Sequence, residues 1–447
     1  MSGDLLGIGA SGTRAYQAAM GVISNNITNA ETPGYARRTL ALMESPSGPS
    51  TSIFYRADTA YGGVMIDQIM RSTDPFLDAA ARQTGNLLGS ADQRARWMSD
   101  IQTALNDGSL GVGQRMTAMF SAVERLAANP TDTTLRTDVL FAFEQINTAF
   151  KQSLTELQTV RDGIGQAANN EVVSLNNALK QLADANEGLR RSEPGSAAHV
   201  ALMDSRDQAL TEISKRIDVT IEFQSNDAAK VSYGANILVE NVNAQQVGVT
   251  QDADGLLNFF VVGPPDTPVD VPTGGSLGGL AASASVNKDR IDSLDAIAAQ
   301  YVADINEWHQ GGQTAAGVPG GPMLSIGADA STLAVLVSDP ADIAGASSDG
   351  VVNGNLLAIN GLRGTGSFED RWTALISTHG NLVSATLTEQ ANAQNRNDMA
   401  QQARADVSGV NLDREAADLI RLQQAYNGSA RIIQVAKELM DTIFSIF

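Results

Sequence analysis

The sequence predicts a mainly α, elongated, multi-domain protein. A small β domain is inserted into its helical body, and the N- and C-terminal helices pair as a coiled coil. Three observations carry this. Apolar residues keep a 3-4 spacing from Leu135 to Leu189, far longer than a compact domain needs. At Ile217 the period changes from 3.6 to 2. From Leu412 onward, every seventh residue to the end is apolar.

A chain of 447 residues suggests about three domains. Apolar residues make up 43%, enough for a core, but aromatics only 5%, which favours long helices with shallow packing. A net charge of −20 argues against nucleic acid as a partner, because binding phosphates needs a basic face. The absence of cysteine removes disulfides, thiolate nucleophiles and zinc–sulfur sites. No apolar run approaches the length of a membrane span, so no membrane insertion is expected. The start, Met1 to Asp4, lacks the pattern of a cleaved signal peptide. The chain is therefore expected to stay in the cytosol or to leave by a route that reads no such signal.

Taken in order, Leu5, Ile8, Gly12, Ala15, Ala19, Val22 and Ile23 place a first helix up to Ile27, with a flat face of small residues. Residues 40–74 read as extended or irregular around Pro46 and Pro49, with a strand candidate from Val64 to Ile69. Helix returns near Pro75, a residue suited to a first turn, and runs to Leu105. A stripe from Met116 to Leu126 follows and stops at Asn129-Pro130. The Leu135–Leu189 run is interrupted only by Gly163 and Gly165, and a further helix spans His199 to Ile217. Alternation then places strands at Val219–Phe223, Val231–Tyr233, Ile237–Val239, Val247–Val249 and Leu257–Val261. Helix resumes with Ile291 to Trp308, and a last helical pair covers 367–405. The domain reading is 1–40 with 408–447 as a terminal-helix pair, 41–217 and 276–407 as a helical rod, and 218–275 as the β insertion.

In the C-terminal segment the rows Leu412, Leu419, Tyr426, Ile433, Met440, Phe447 and 418, 425, 432, 439, 446 form an apolar stripe, opposite Arg414, Arg421, Gln424 and Arg431. One more core helix of a globule is the plain alternative. The small-residue face of the first helix, however, is the natural cover, since it lets a second backbone come close. A pair alone leaves apolar surface open, so further copies of the chain are expected to cover the rest and to order the two ends. The candidate assembly residues are Leu5, Ile8, Ala15, Ala19, Val22, Asn26, Asn29, Pro33, Gly34, Tyr35, Leu412, Leu419, Tyr426, Ile433, Met440 and Phe447. In Thr32-Pro33-Gly34-Tyr35, Pro33 pushes Thr32 to an extended conformation and Pro-Gly suits a type II turn. Asn25, Asn26 and Asn29 can bond backbone at the helix end or on a neighbour.

Catalytic and metal signatures are missing, and neither an enzyme nor a cofactor is expected. His199, His309 and His379 are scattered without metal-ligand spacing. Ser285-Val286-Asn287-Lys288 fits S-x-x-K without its companion motifs and reads as coincidence at a helix start. Gly274 to Gly279 lacks the Lys-Ser/Thr of a phosphate loop and reads as a domain linker. Asp252-Ala253-Asp254-Gly255 has no closing Glu and reads as a hairpin turn.

Ser24-Asn25-Asn26-Ile27-Thr28-Asn29-Ala30-Glu31-Thr32-Pro33-Gly34-Tyr35 resembles the N-terminal motif of bacterial flagellar rod, hook and hook-associated proteins. Asn411-Leu412-Asp413-Arg414-Glu415-Ala416-Ala417, then Gln423 to Tyr426 and Lys437 to Met440, are similar to that family's closing helix. Gly62 to Ile66 with Ile69 to Leu77, and Leu202 to Leu210, resemble its hook-associated members that join hook to filament. The resemblance spans nearly the whole chain, and the central insertion is short beside those of longer relatives. It implies a structural subunit of a junction ring or tubular homo-oligomer in the extracellular flagellum, between hook protein and the next hook-associated junction protein. It further implies export by the flagellar type III apparatus, with a chaperone covering the C-terminal helix beforehand. The alternatives are a hook or distal-rod subunit, against which the 202–210 motif argues, and a wall-hydrolysing enzyme on an axial scaffold.

Overall fold

The computed structural model describes residues 2–45, 62–105 and 107–446, except for the side chains of residues 2–4, 444 and 446. The readings placed on Pro46, Pro49 and Phe447 lie outside the described residues. The chain divides into two units. The first comprises Met1–Gly85, Leu175–Gln246 and Asn395–Phe447, and the second Asn86–Ser174 and Val247–Gln394.

The long elements follow the apolar periodicity, and several start on side-chain caps. In order they are α1 (Ser2–Thr28), β1 (Arg38–Glu44), β2 (Val64–Arg71), α2 (Pro75–Leu105), α3 (Val112–Ala128), α4 (Thr133–Arg191) and α5 (Ala197–Arg216). Pro75 opens α2 while Asp74 Oδ1 accepts from Phe76 N at 2.8 Å, satisfying a donor that has no partner within the helix. Asp132 does the same for α4, accepting from Thr134 N at 2.8 Å, and Ser196 for α5, accepting from His199 N at 3.2 Å. Gly163 does not break the 59-residue α4. A Cβ there would stand 3.0 Å from the Trp97 ring, so the glycine makes room for an aromatic.

The strands are β3 (Thr220–Phe223), β4 (Ala229–Tyr233), β5 (Asn236–Glu240), β6 (Asn243–Ala244), β7 (Val247–Gln251), β8 (Leu257–Val261) and β9 (Thr267–Val269). Alternation located most of them but not their pairing. The stretch read as one insertion holds two antiparallel sheets, β3-β4-β5-β6 in the first unit and β7-β8-β9 in the second. Asp252 forms the hairpin turn read for it, accepting from Leu256 N at 2.9 Å, with Gly255 at φ 86. After β9 come α6 (Gly275–Gln310), short bridges, α7 (Gly354–Ala358), α8 (Phe368–Ser408) and α9 (Leu412–Ile446). Among the described residues no helix is long and apolar enough to cross a membrane.

Three expectations change here. The glycine-rich 274–279 stretch is the buried first turn of α6 rather than a linker, and Ser276 Oγ donates to Glu171 Oε2 at 2.7 Å. Ser285 to Lys288 therefore lies inside α6, where Asn287 Nδ2 donates to Leu157 O at 3.1 Å. The expected helical pair over 367–405 is the single helix α8.

The second unit holds the main core, built from α2, α3, α4, α6 and α8. The scarce aromatics gather there instead of being spread through shallow contacts. Tyr301 stacks on Phe150 at 5.9 Å and meets Phe368 edge-on at 5.4 Å, while Phe368 stacks on Phe120 at 5.9 Å. In the first unit the amide of buried Asn186 exchanges two hydrogen bonds of 2.8 Å with the Ala229 backbone, fastening the four-stranded sheet to α4.

Candidate functional site: the junction of the terminal helices

Helices α1 and α9 run antiparallel, side by side. Gly9 faces Ile433, Gly12 faces Ser429 and Asn26 faces Glu415. The approach is close because α1 has glycine, without a side chain, opposite Ile433 and Ser429. A Cβ on Gly12 would stand 2.7 Å from Ser429 Oγ, and one on Gly9 2.7 Å from Ile433 Cγ1. The buried face continues through Ala15, Ala19, Val22 and Asn26. Facing residues of α9 form two interleaved rows at a spacing of seven: Glu415, Leu422, Ser429, Ala436, and Leu419, Tyr426, Ile433, Met440. Sequence reading found the second row and missed the first, whose small and polar members carry no hydrophobic signal. Of the row 425, 432, 439, Ala425 is half-buried, whereas Ile432 is 39% and Leu439 45% exposed.

At the closed end of the pair sits a polar node. Asn26 is fully buried and uses all four of its hydrogen-bonding capacities. Its Nδ2 donates to Arg38 O at 2.8 Å and to Glu415 Oε2 at 2.9 Å. Its Oδ1 accepts from Arg38 N at 3.0 Å and from the Tyr35 hydroxyl at 2.9 Å. The turn read from the sequence makes this possible: Tyr35 N donates to Thr32 O at 3.1 Å and Gly34 takes φ 81, where a Cβ is disfavoured. Asn29 closes its own helix end, donating to Asn25 O at 2.9 Å and accepting from Thr32 Oγ1 at 3.2 Å.

Glu415, whose side chain is 0% exposed, is balanced by Arg37 Nε at 2.6 Å. The hairpin pairs Arg38 directly opposite Arg71, a like-charge juxtaposition that costs stability unless an anion intervenes. Asp204 of α5 is that anion, 2.6 Å from Arg38 Nη2 and 2.8 Å from Arg71 Nε. Arg71 also pairs with Asp207 at 2.7 Å, which holds Arg206 at 2.7 Å. Burial raises the Asp204 carboxyl above its ordinary range, outweighing Arg71 and Arg38, which pull it down. Arg38 further lies 4.7 Å over the Tyr35 ring. The Asn-rich turn, the hairpin, the 202–210 stretch and the start of α9 therefore meet at one buried network of alternating charge.

Of the other expected assembly residues, Leu5 is 37% and Leu412 53% exposed, Pro33 is also exposed, and Ile8 is half-buried. The network residues Arg37, Arg38, Asp204, Asp207 and Glu415 were not singled out. Arg71, Asp204, Asp207 and Glu415 stood inside the quoted stretches, but their side-chain hydrogen bonds to other elements span 136 to 389 residues. The histidines serve packing: His309 Nδ1 donates to Gly321 O at 2.7 Å and His379 Nε2 to Met98 O at 2.9 Å. Among the described residues no cluster of side chains suits a metal.

Comparisons with known proteins converge on one family. The profile "Flagellar hook-associated protein FlgK helical domain" matches residues 98–324, just over half of the chain. "Flagella basal body rod protein" matches 6–35, and "Flagellar basal body rod FlgEFG protein C-terminal" matches 401–446. Flagellar hook-associated protein 1 of Bacillus subtilis (strain 168) is 25% identical over 96% of both chains. Its counterpart in Salmonella typhimurium (strain LT2) is 24% identical over 98% of both, and that of Escherichia coli (strain K12) 23% over 98% of both. The Salmonella alignment runs to 548 positions against 447 residues here, so that relative carries residues with no counterpart in this chain. The flagellar hook junction protein FlgK from Burkholderia pseudomallei shares the fold, with a TM-score of 0.65 at 14% identity, over 75% of this chain and all of that one. The chain belongs to the family of the flagellar hook-associated protein FlgK.

Proposed function

We infer that this chain is a structural, non-enzymatic subunit of the extracellular flagellum, placed at the junction between hook and filament. The observation that carries this is the meeting of the family's separate motifs at one buried node, which holds the two chain ends together. Similarity to hook-associated protein 1 over nearly the full length of both chains supports it. As an axial component it assembles with hook and filament proteins.

The finer reading is that copies of the chain form a ring through their terminal helices. Residues 1–40 and 408–447 make its inner part, 41–217 and 276–407 its rod, and 218–275 the short β portion. Hook protein lies on one side and the next junction protein on the other. One face of α9 is taken by α1, while Ile432, Val435, Leu439 and Ile443 stay exposed at helical spacing. Neighbouring copies cover that second face after assembly. Before it, an export chaperone covers the same helix, and type III export takes the chain out.

Electron microscopy of flagella carrying labelled protein tests this. A thin band between hook and filament is expected; label along the whole hook would assign the chain to the hook instead. A deletion strain that still built normal filaments would remove the junction role altogether.

A further inference from the structure

In the second unit, remote in sequence from the terminal helices, a cleft of about 330 Å³ opens between the start of α4 and the loops after α6. Arg136 lines it and is 92% buried, its relative exposure being 8%. Its Nε donates to Pro130 O at 2.9 Å, and its Nη1 to Pro340 O at 3.1 Å and Ile343 O at 3.0 Å. Those bonds fix the guanidinium but leave its charge unanswered. Among the described residues it forms no ion pair with a carboxylate, and Nη2 takes part in none of these three bonds. In a chain with 50 acidic side chains against 30 basic ones, a buried arginine without an acid is unusual chemistry. Burial lowers this guanidinium from its ordinary value, with no neighbouring carboxylate opposing the shift.

The rest of the lining is equally uncommitted. The side chains of Thr131, Thr133, Gln313 and Thr314 border the same cleft and make no hydrogen bond to another described residue. Its single acid, Asp339, has one oxygen engaged by Ala341 N at 2.8 Å, leaving the other able to accept from a hydroxyl. Ala315, Ala341, Ala346 and Val352 supply apolar wall. Convergent polar groups over an apolar wall, in a space of this size, are the make-up of a small-ligand site.

We propose that this cleft binds a small hydroxylated monocarboxylate, of the size of a sugar acid. Its carboxylate sits on Arg136, and its hydroxyls are shared among the threonines, Gln313 and Asp339. The charges decide the class. Arg136 demands an anion, whereas Asp339 disfavours the doubly charged phosphate or sulfate and suits a hydroxyl donor. A neutral sugar leaves the arginine unanswered.

The test is titration of the full chain with D-glucuronate, followed by amide chemical shifts and calorimetry, with glucose and sulfate as comparators. Glucuronate is expected to bind with shifts confined to residues 130–136, 313–315 and 339–346, and at least tenfold more tightly than glucose or sulfate. Arg136→Gln is expected to weaken binding at least tenfold. Because that change also frees three carbonyls, the exposed variants Thr133→Val and Asp339→Asn serve as folded controls. Each is expected to weaken glucuronate severalfold, and Asp339→Asn to improve sulfate. No shift at 20 mM glucuronate, equal binding of glucose, or indifference to all three substitutions would overturn the proposal (the ligand concentration being roughly tenfold above a weak millimolar constant).

Discussion

Asn26 shows how much one side chain can decide. A buried amide with all four capacities met contributes little net energy, but removing it strands its partners. In Asn26→Ala the Glu415 oxygen, the Tyr35 hydroxyl and both Arg38 backbone groups lose a partner at once. We expect about 2–4 kcal/mol of destabilisation. All three tryptophans, Trp97, Trp308 and Trp372, belong to the second unit. Far-UV circular dichroism should therefore show an earlier transition in urea while tryptophan fluorescence keeps its midpoint. Equal shifts in both signals would mean that the node does not act locally. Asn26 was legible as a polar residue at a helix end. That its partner would be Glu415, 389 residues on, was not, because nothing local encodes a contact of that separation.

At the level of the element, α9 has two apolar faces with different owners. Ile433→Asp places a charge against Gly9 of the same chain and is expected to separate α1 from α9, cutting monomer helicity. Leu439→Asp alters an exposed position and is expected to leave the monomer's circular dichroism and Tm unchanged while abolishing incorporation into flagella. Monomer unfolding by Leu439→Asp would show that this face belongs to the chain itself. In the second unit two neutral histidines fasten helices to their surroundings, His309 holding α6 to loops and His379 holding α8 to α2 and α6. His309 Nε2 accepts from Ala344 N at 3.0 Å, and His379 Nδ1 from Arg290 Nε at 3.2 Å. Protonation would set two donors face to face, and burial lowers both pKa values below the ordinary 6.5. A group depressed in the folded state binds protons more readily when unfolded. Stability from the neutral rings is thus fully present above about pH 6.5 and declines as pH falls through that value toward the folded pKa. The slope is at most about 1.4 kcal/mol per pH unit for each histidine. The fluorescence-detected urea midpoint should fall between pH 6.5 and 5, and less steeply in His379→Gln.

For the molecule as a whole, chain ends that meet at a node imply a gradient of local stability along the terminal pair. Amide exchange in the free monomer should be slowest around Asn26 and Glu415, where burial is complete. It should quicken toward Ile443, where the exposed apolar side chains await a cover. Uniformly fast exchange over 1–40 and 408–447 would mean instead that the pair forms only between subunits. Most of the long helices were readable because apolar spacing and capping residues are local signals, although the pair expected over 367–405 is one helix and α6 starts at Gly275. The division of the strands between two sheets and the gathering of the aromatics around Tyr301 were not, since both depend on contacts between distant segments.

By itself, the amino-acid sequence determined that the chain is mainly helical, that its two ends are built to pair, and to which kind of assembly it belongs. Those properties rest on periodicity and on contiguous motifs, which survive without knowledge of any neighbour. The tertiary structure alone decided which row of α9 faces α1, and that an Asn–Glu–Arg node locks the pair. It also decided that a lone arginine lines an open cleft. Close approach selects small side chains, and buried charge selects distant partners, so neither leaves a pattern in the order of residues.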